Sequence, residues 1–120
     1  MNEKISLAIF NKLCKDTNLY VVDHCKGVRC GYVESIENID NNCITNYIMV
    51  EYFHGDIWVA TNIHEYECVI FLSEKEKVFN RNTMNIKEYN NAMNKIRELS
   101  LKWKQAKIRL KKNKMNEDFI

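Results

Sequence analysis

The sequence predicts an α+β fold: an N-terminal helix, a five-stranded antiparallel meander and a long C-terminal helix. Apolar residues recur at helical spacing near both ends, over residues 3–15 and from Ile86 onward. Between them, residues 19–72 are rich in Val, Ile, Tyr, Phe and Trp, in short runs split by turn residues. The connections are too short for the crossover that a parallel pair requires, so neighbouring strands are antiparallel.

In the first helix, Ile5, Leu7, Ile9, Phe10, Leu13 and Cys14 fill an arc of roughly 200° at 100° per residue. That is wider than one flat sheet face covers. The helix is therefore expected either between two layers or in a subunit contact.

The candidate strands are Leu19–His24, Val28–Asn38, Cys43–Phe53, Ile57–Asn62 and Tyr66–Leu72. With 0 Pro and 3 Gly, turns fall to Asn, Asp and His. They are expected at Lys26-Gly27, Asn38–Asn42, His54-Gly55-Asp56 and Asn62–Glu65. Gly31 inside the second strand marks a bend or bulge. A bent second strand in a five-strand meander is how a small SH3-like barrel curls shut, an analogy of architecture that carries no function. Tyr47, Met49, Glu51 and Phe53 share one face, and Ile44, Ile48, Val50 and Tyr52 do not fit one alternation with them; two substantially apolar faces call for cover on both sides. The aromatics Tyr47, Tyr52, Phe53, Trp58, Tyr66 and Phe71 are read as core, with a surface pocket for a peptide or base as the alternative. Residues 73–84 are polar and read as a loop pinned by Val78 and Phe79.

The C-terminal helix is well signalled. Asn85 suits the N-cap, Glu88 completes a capping box, and Met84 with Tyr89 can form a hydrophobic staple. Ile86, Tyr89, Met93, Ile96, Leu99 and Trp103 follow on one face. Beyond Trp103 the stripe is expected to fail, because a four-residue step would bury Lys107, Lys111 and Lys114. The segment from Lys104 to Lys114 is therefore expected to extend into solvent or against an acidic partner.

The 120 residues form one domain, residues 1–114, made of a core (1–83) and the long helix (84–114) with a frayed tail at 115–120. No apolar run approaches the ~18 residues that a membrane span needs. The first ten residues hold too short an apolar stretch for a signal peptide, so a cytoplasmic location is expected, with no membrane association. Five cysteines at irregular spacing (Cys14, Cys25, Cys30, Cys43, Cys68) do not form a disulfide framework. The 16 Asn, 14 Lys and 13 Ile, against 4 Ala, point to an AT-rich genome such as that of a low-GC bacterium, its phage or plasmid, or a virus.

Net charge is +2 but unevenly divided. Residues 1–83 carry 8 Lys and Arg against 12 Asp and Glu; residues 84–120 carry 10 against 4. Such asymmetry implies an acidic partner for the basic end. Lys104, Lys107, Arg109, Lys111, Lys112 and Lys114 would neutralise phosphates there, with Trp103 beside them for stacking. The plain alternative is a solvated helix end, whose cations also suit the C-terminal dipole.

No metal site is expected: His24, Cys25, Cys30 and Cys43 have the ligand types for zinc but lack its spacing. His64 and Cys68 lie nearest to a nucleophile–base pair, and no catalytic signature surrounds them. The expected function is non-enzymatic, cofactor-free binding of nucleic acid or a ribonucleoprotein through the basic helix end. The alternative is a self-assembling protein-interaction module that meets an acidic surface or its own copy, of the size of a phage- or plasmid-borne inhibitor of a host defence system.

Overall fold

The computed structural model describes residues 2–39, 45–66, 69–80 and 86–118, without the side chains of 2–4, 38, 80 and 112–118. Helix α1 spans Asn2–Asp16, followed by β1 (Tyr20–Cys25), β2 (Val28–Tyr32), a 3-10 turn (Ile36–Asn38), β3 (Ile48–Phe53), β4 (Asp56–Tyr66), β5 (Val69–Asn80) and α2 (Ile86–Asp118). The strands form one antiparallel sheet in chain order, β1-β2-β3-β4-β5. This is the α+β meander that the residue pattern implies. The sheet stays open, with β1 and β5 as its edges, and does not close into a barrel.

Local chemistry sets the corners. Asn18 ends α1 in the left-handed region (φ 58). Its N–H donates to the Lys15 carbonyl at 3.3 Å and that of Leu19 to the Cys14 carbonyl at 2.9 Å, the paired bonds of a Schellman stop. Gly27 (φ 83) and the pair His54 (φ 46) and Gly55 (φ 96) turn the first two tight hairpins. The two turns are tied together, since the His54 N–H donates to the Gly27 carbonyl at 2.8 Å.

Both helices lie on one face of the sheet. Phe10, Leu13 and Cys14 of α1 and Ala92, Ile96, Leu99, Trp103 and Ala106 of α2 enter one core with Val50, Tyr52, Ile57, Val59 and Leu72. Phe10 packs against Tyr52 at 5.8 Å between ring centroids. The helices are joined by the Tyr89 hydroxyl, which donates to Asp16 at 2.6 Å. Ile5 at the outer end of the α1 stripe is left exposed. A smaller cluster on the far side holds Cys30, Tyr32, Ile39 and Ile48, with Val22 and Ile36 against it. The second cover of β3 is thus the segment around the 3-10 turn.

Strand bounds differ from the residue pattern in four places. Residues Val28–Asn38 are not one strand: β2 ends at Tyr32, and the chain turns so that Ile36 and Ile39 cap the small cluster. The third strand starts at Ile48, after a 3-10 turn at 45–47, while Cys43 lies outside the described residues. Residues 73–80 are not loop but strand. Their polarity reflects an edge strand whose side chains pair: Lys75 with Glu51 at 2.6 Å, Glu76 with Lys95 at 2.7 Å, and Lys77 over the Trp58 ring at 5.0 Å. The β4–β5 hairpin is correspondingly long: the turn expected at Asn62–Glu65 is strand, and pairing continues as far as Tyr66 with Val69. Residues 81–85, including Met84 and the cap position Asn85, lie outside the described residues.

Gly31 sits where the register of β2 against β3 shifts, the irregularity that a glycine inside a strand signals. It also lets α1 approach: a Cβ there would lie 2.8 Å from Cys14 Sγ and 3.3 Å from Leu19 Cδ1. Gly31→Ala is expected to destabilise the fold by about 1–3 kcal/mol, the usual cost of overpacking. Adding Cys14→Ala should recover part of that loss, as read by urea denaturation.

Candidate nucleic-acid interface

Helix α2 has 33 residues, so its axis is ~50 Å long at 1.5 Å per residue. Its buried stripe does not stop at Trp103. After Leu99 and Trp103 it takes a three-residue step to Ala106 and then a four-residue step to Leu110, which packs against the core. Lys107 and Arg109 are thereby placed on the flanks of the stripe. This overturns the expectation of a helix end that leaves the body at Trp103. Helical backbone continues to Asp118.

Trp103 is 1% exposed, the largest fully buried side chain among the described residues. Its indole N–H donates to Glu34 at 2.8 Å, and its ring meets Tyr47 edge-on at 5.0 Å. It presents no face to a base. Glu34 also pairs with Lys107 at 2.5 Å. On the other flank Arg109 reaches Glu65 of β4 at 2.6 Å. Two of the cations assigned to a partner are therefore engaged by acids of the same chain. Lys104 and Lys111 are exposed and make no ion pair among the described residues. The side chains of Lys112 and Lys114 lie outside the described ones.

Of the aromatics read as core, Phe53 and Tyr66 are exposed; Tyr66 is the more exposed. It is 68% exposed at the end of β4, next to the Glu65 that holds Arg109. The signal that would have found it was the length of β4: a strand ended at Asn62 hides the tip of the hairpin. Below Tyr66, His64 stacks on Phe71 at 5.4 Å between ring centroids, on the opposite strand. Between β4 and α2 lies a cavity of about 350 Å³ lined by Ile63, Glu65, Lys102, Gln105, Ala106 and Arg109. A larger cleft of about 710 Å³ between β5 and the first half of α2 is bordered by Glu76, Glu88 and Glu98 and by Lys77 and Lys95, a lining with no excess of positive charge.

The cysteine and histidine residues are engaged separately. The His24 ring nitrogen Nε2 shares a hydrogen bond with the Tyr32 hydroxyl at 2.5 Å, Cys25 is exposed and Cys30 is buried. Among the described residues no three His, Cys, Asp or Glu side chains form a group that would hold a metal ion. Cys68, like Cys43, lies outside the described residues. No helix among the described residues is long and apolar enough to cross a membrane. Compared with known proteins, the chain matches no family, no curated protein and no solved structure.

Burial governs the ionisable core groups. It pushes the Cys14 thiol up to about 12 from an ordinary 9.0, with nearby Cys30 adding to the effect. Burial and then Glu51 raise Cys30 to about 11, and burial and then Cys30 raise Tyr32 to about 12. Between about pH 9 and 12 the unfolded chain loses these protons while the native one keeps them, so stability falls as pH rises through that window. Denaturant midpoints measured from pH 8 to 11 should decline, and Cys14→Ala should flatten the slope. Trp103→Phe, which keeps the bulk but removes the donor to Glu34, is expected to cost about 1–2 kcal/mol by the same measurement.

Proposed function

We propose that this protein is a stoichiometric, non-enzymatic binder of nucleic acid or of a nucleic-acid-containing complex, engaged through the outward face of the α2 end. The observation that carries the reading is the position of Lys104 and Lys111, exposed two helical turns apart with no acid among the described residues paired to them. Tyr66, exposed at the end of β4, directly follows the Glu65 that bridges to Arg109 on the other flank of the helix. Cations that track a backbone, with an aromatic ring on which a base stacks, are the working parts of single-strand binding. Tyr66 takes the stacking role that burial denies to Trp103.

A second reading has its own observation. Leu101 (57% exposed) and Ile108 (56% exposed) lie seven residues apart on the same outward face. An acidic protein surface with an apolar centre would cover both the leucine–isoleucine pair and the lysines around it. A mobile-element inhibitor of a host complex falls under this reading.

The two are separated by titrating a fluorescent single-stranded oligonucleotide at low salt. Lys104→Gln with Lys111→Gln should weaken binding and lower the slope of log affinity against log salt by about 0.7 for each phosphate no longer neutralised. Tyr66→Ala should weaken it further without changing that slope. Absence of binding, or binding indifferent to all three changes, removes the nucleic-acid reading. Loss of a protein partner on Leu101→Ser with Ile108→Ser would then support the second.

A further inference from the structure

The two edges of the sheet are built differently. β5 carries Glu74, Lys75, Glu76 and Lys77 in succession, and Glu74 is in the left-handed region (φ 55). Charge and a local kink are the devices by which an edge strand is kept from pairing with another chain. β1 begins Tyr20-Val21-Val22, and every residue of it except Val22 is exposed. Tyr20 is 51% and Val21 42% exposed. Its one irregularity against β2, between Asp23 and Cys25, lies at the turn end and leaves Tyr20–Asp23 regular.

We propose that the β1 edge pairs with the β1 edge of a second copy of this chain, joining two sheets into one. The registers open to such a pair are few. In a two-fold antiparallel pair, opposed residues share a face, so the axis must pass through a residue. An axis at Asp23, whose carboxylate is already held by Arg29, would have to pair Val22 with His24 in the irregular stretch. An axis at Val22 would need His24, which is held by Tyr32 of its own chain and sits in the irregular stretch. An axis at Val21 opposes Val21 with itself and Tyr20 with Val22 on each side. These are the β-branched and aromatic cross-strand pairs that stabilise sheets most, and they cover the exposed apolar groups of the edge. This self-complementarity selects a second copy over an unrelated strand. Helix α2 packs on β4 and β5, at the other end of the sheet, so the pairing leaves its outward face free. The two proposals can fail independently.

The test is the mass of the full chain by light scattering over a concentration series. The expected result is a rise from 14.3 kDa to twice that mass, at concentrations that reflect a small interface. Val21→Lys alone and Val21→Glu alone should each remain monomeric, because like charges then meet on the axis. An equal mixture of the two should recover the doubled mass. Hydrogen exchange of the unsubstituted protein gives a readout free of any folding defect: outward amides of Tyr20–Asp23 should gain protection as concentration rises. A mass that stays monomeric throughout, single variants that still dimerise, a mixture that does not, or amides whose protection ignores concentration each overturn the proposal.

Discussion

The burial of Trp103 sets the arrangement on which the rest depends. An indole is too large to be half-accommodated, and its N–H must be satisfied once water is removed. Glu34, just beyond the end of β2, accepts that hydrogen bond, while Tyr47, just before β3, meets the ring edge. The helix is thereby fixed in rotation as well as position. Leu99, Ala106 and Leu110 point inward with the indole, and the lysines on the far arc have only solvent to face. The charge distribution around the end of α2 is thus a consequence of one apolar anchor.

The sheet obeys a complementary constraint. Three of its four connections are tight and the fourth, between β2 and β3, is a longer excursion that returns beside β2, so strand order follows chain order and the meander has two edges. Two helices on one face provide most of the core, while among the described residues the other face is covered near β1–β3, by Ile36 and Ile39. The remainder of that face along β4 and β5 is managed by pairing instead, with Lys75 on Glu51 and Lys77 over Trp58.

Periodicity was readable wherever one side of an element is buried. It marked α1, the strand-rich middle and the first half of α2, because Phe10, Val50 and Ile96 each recur with apolar neighbours at the right spacing. It misled where polar side chains hold the structure together. Ser73–Lys77 reads as loop because an edge strand stabilised by ion pairs has the composition of a loop. The α2 stripe reads as ending at Trp103 because a four-residue step from it lands on Lys107; a three-residue step reaches Ala106, which is 1% exposed, and restores the phase for Leu110. The acids that hold Lys107 and Arg109 lie 73 and 44 residues earlier in the chain, a separation that no local pattern reports. Tyr66 was hidden for a related reason, since its exposure follows from the length of a hairpin rather than from its neighbours in sequence.

The two bridges on the flanks of α2 divide its cations by availability. Lys104 and Lys111 contribute their full charge to an approaching anion from a distance. Arg109 is held by a carboxylate that is 38% exposed, and a bridge at the surface is weak and screened by salt. Lys107 is committed, because releasing it would leave the half-buried Glu34 with only the indole as partner. The helix end therefore behaves as a graded reserve of positive charge: part on open display, part exchangeable on contact and part locked into the fold.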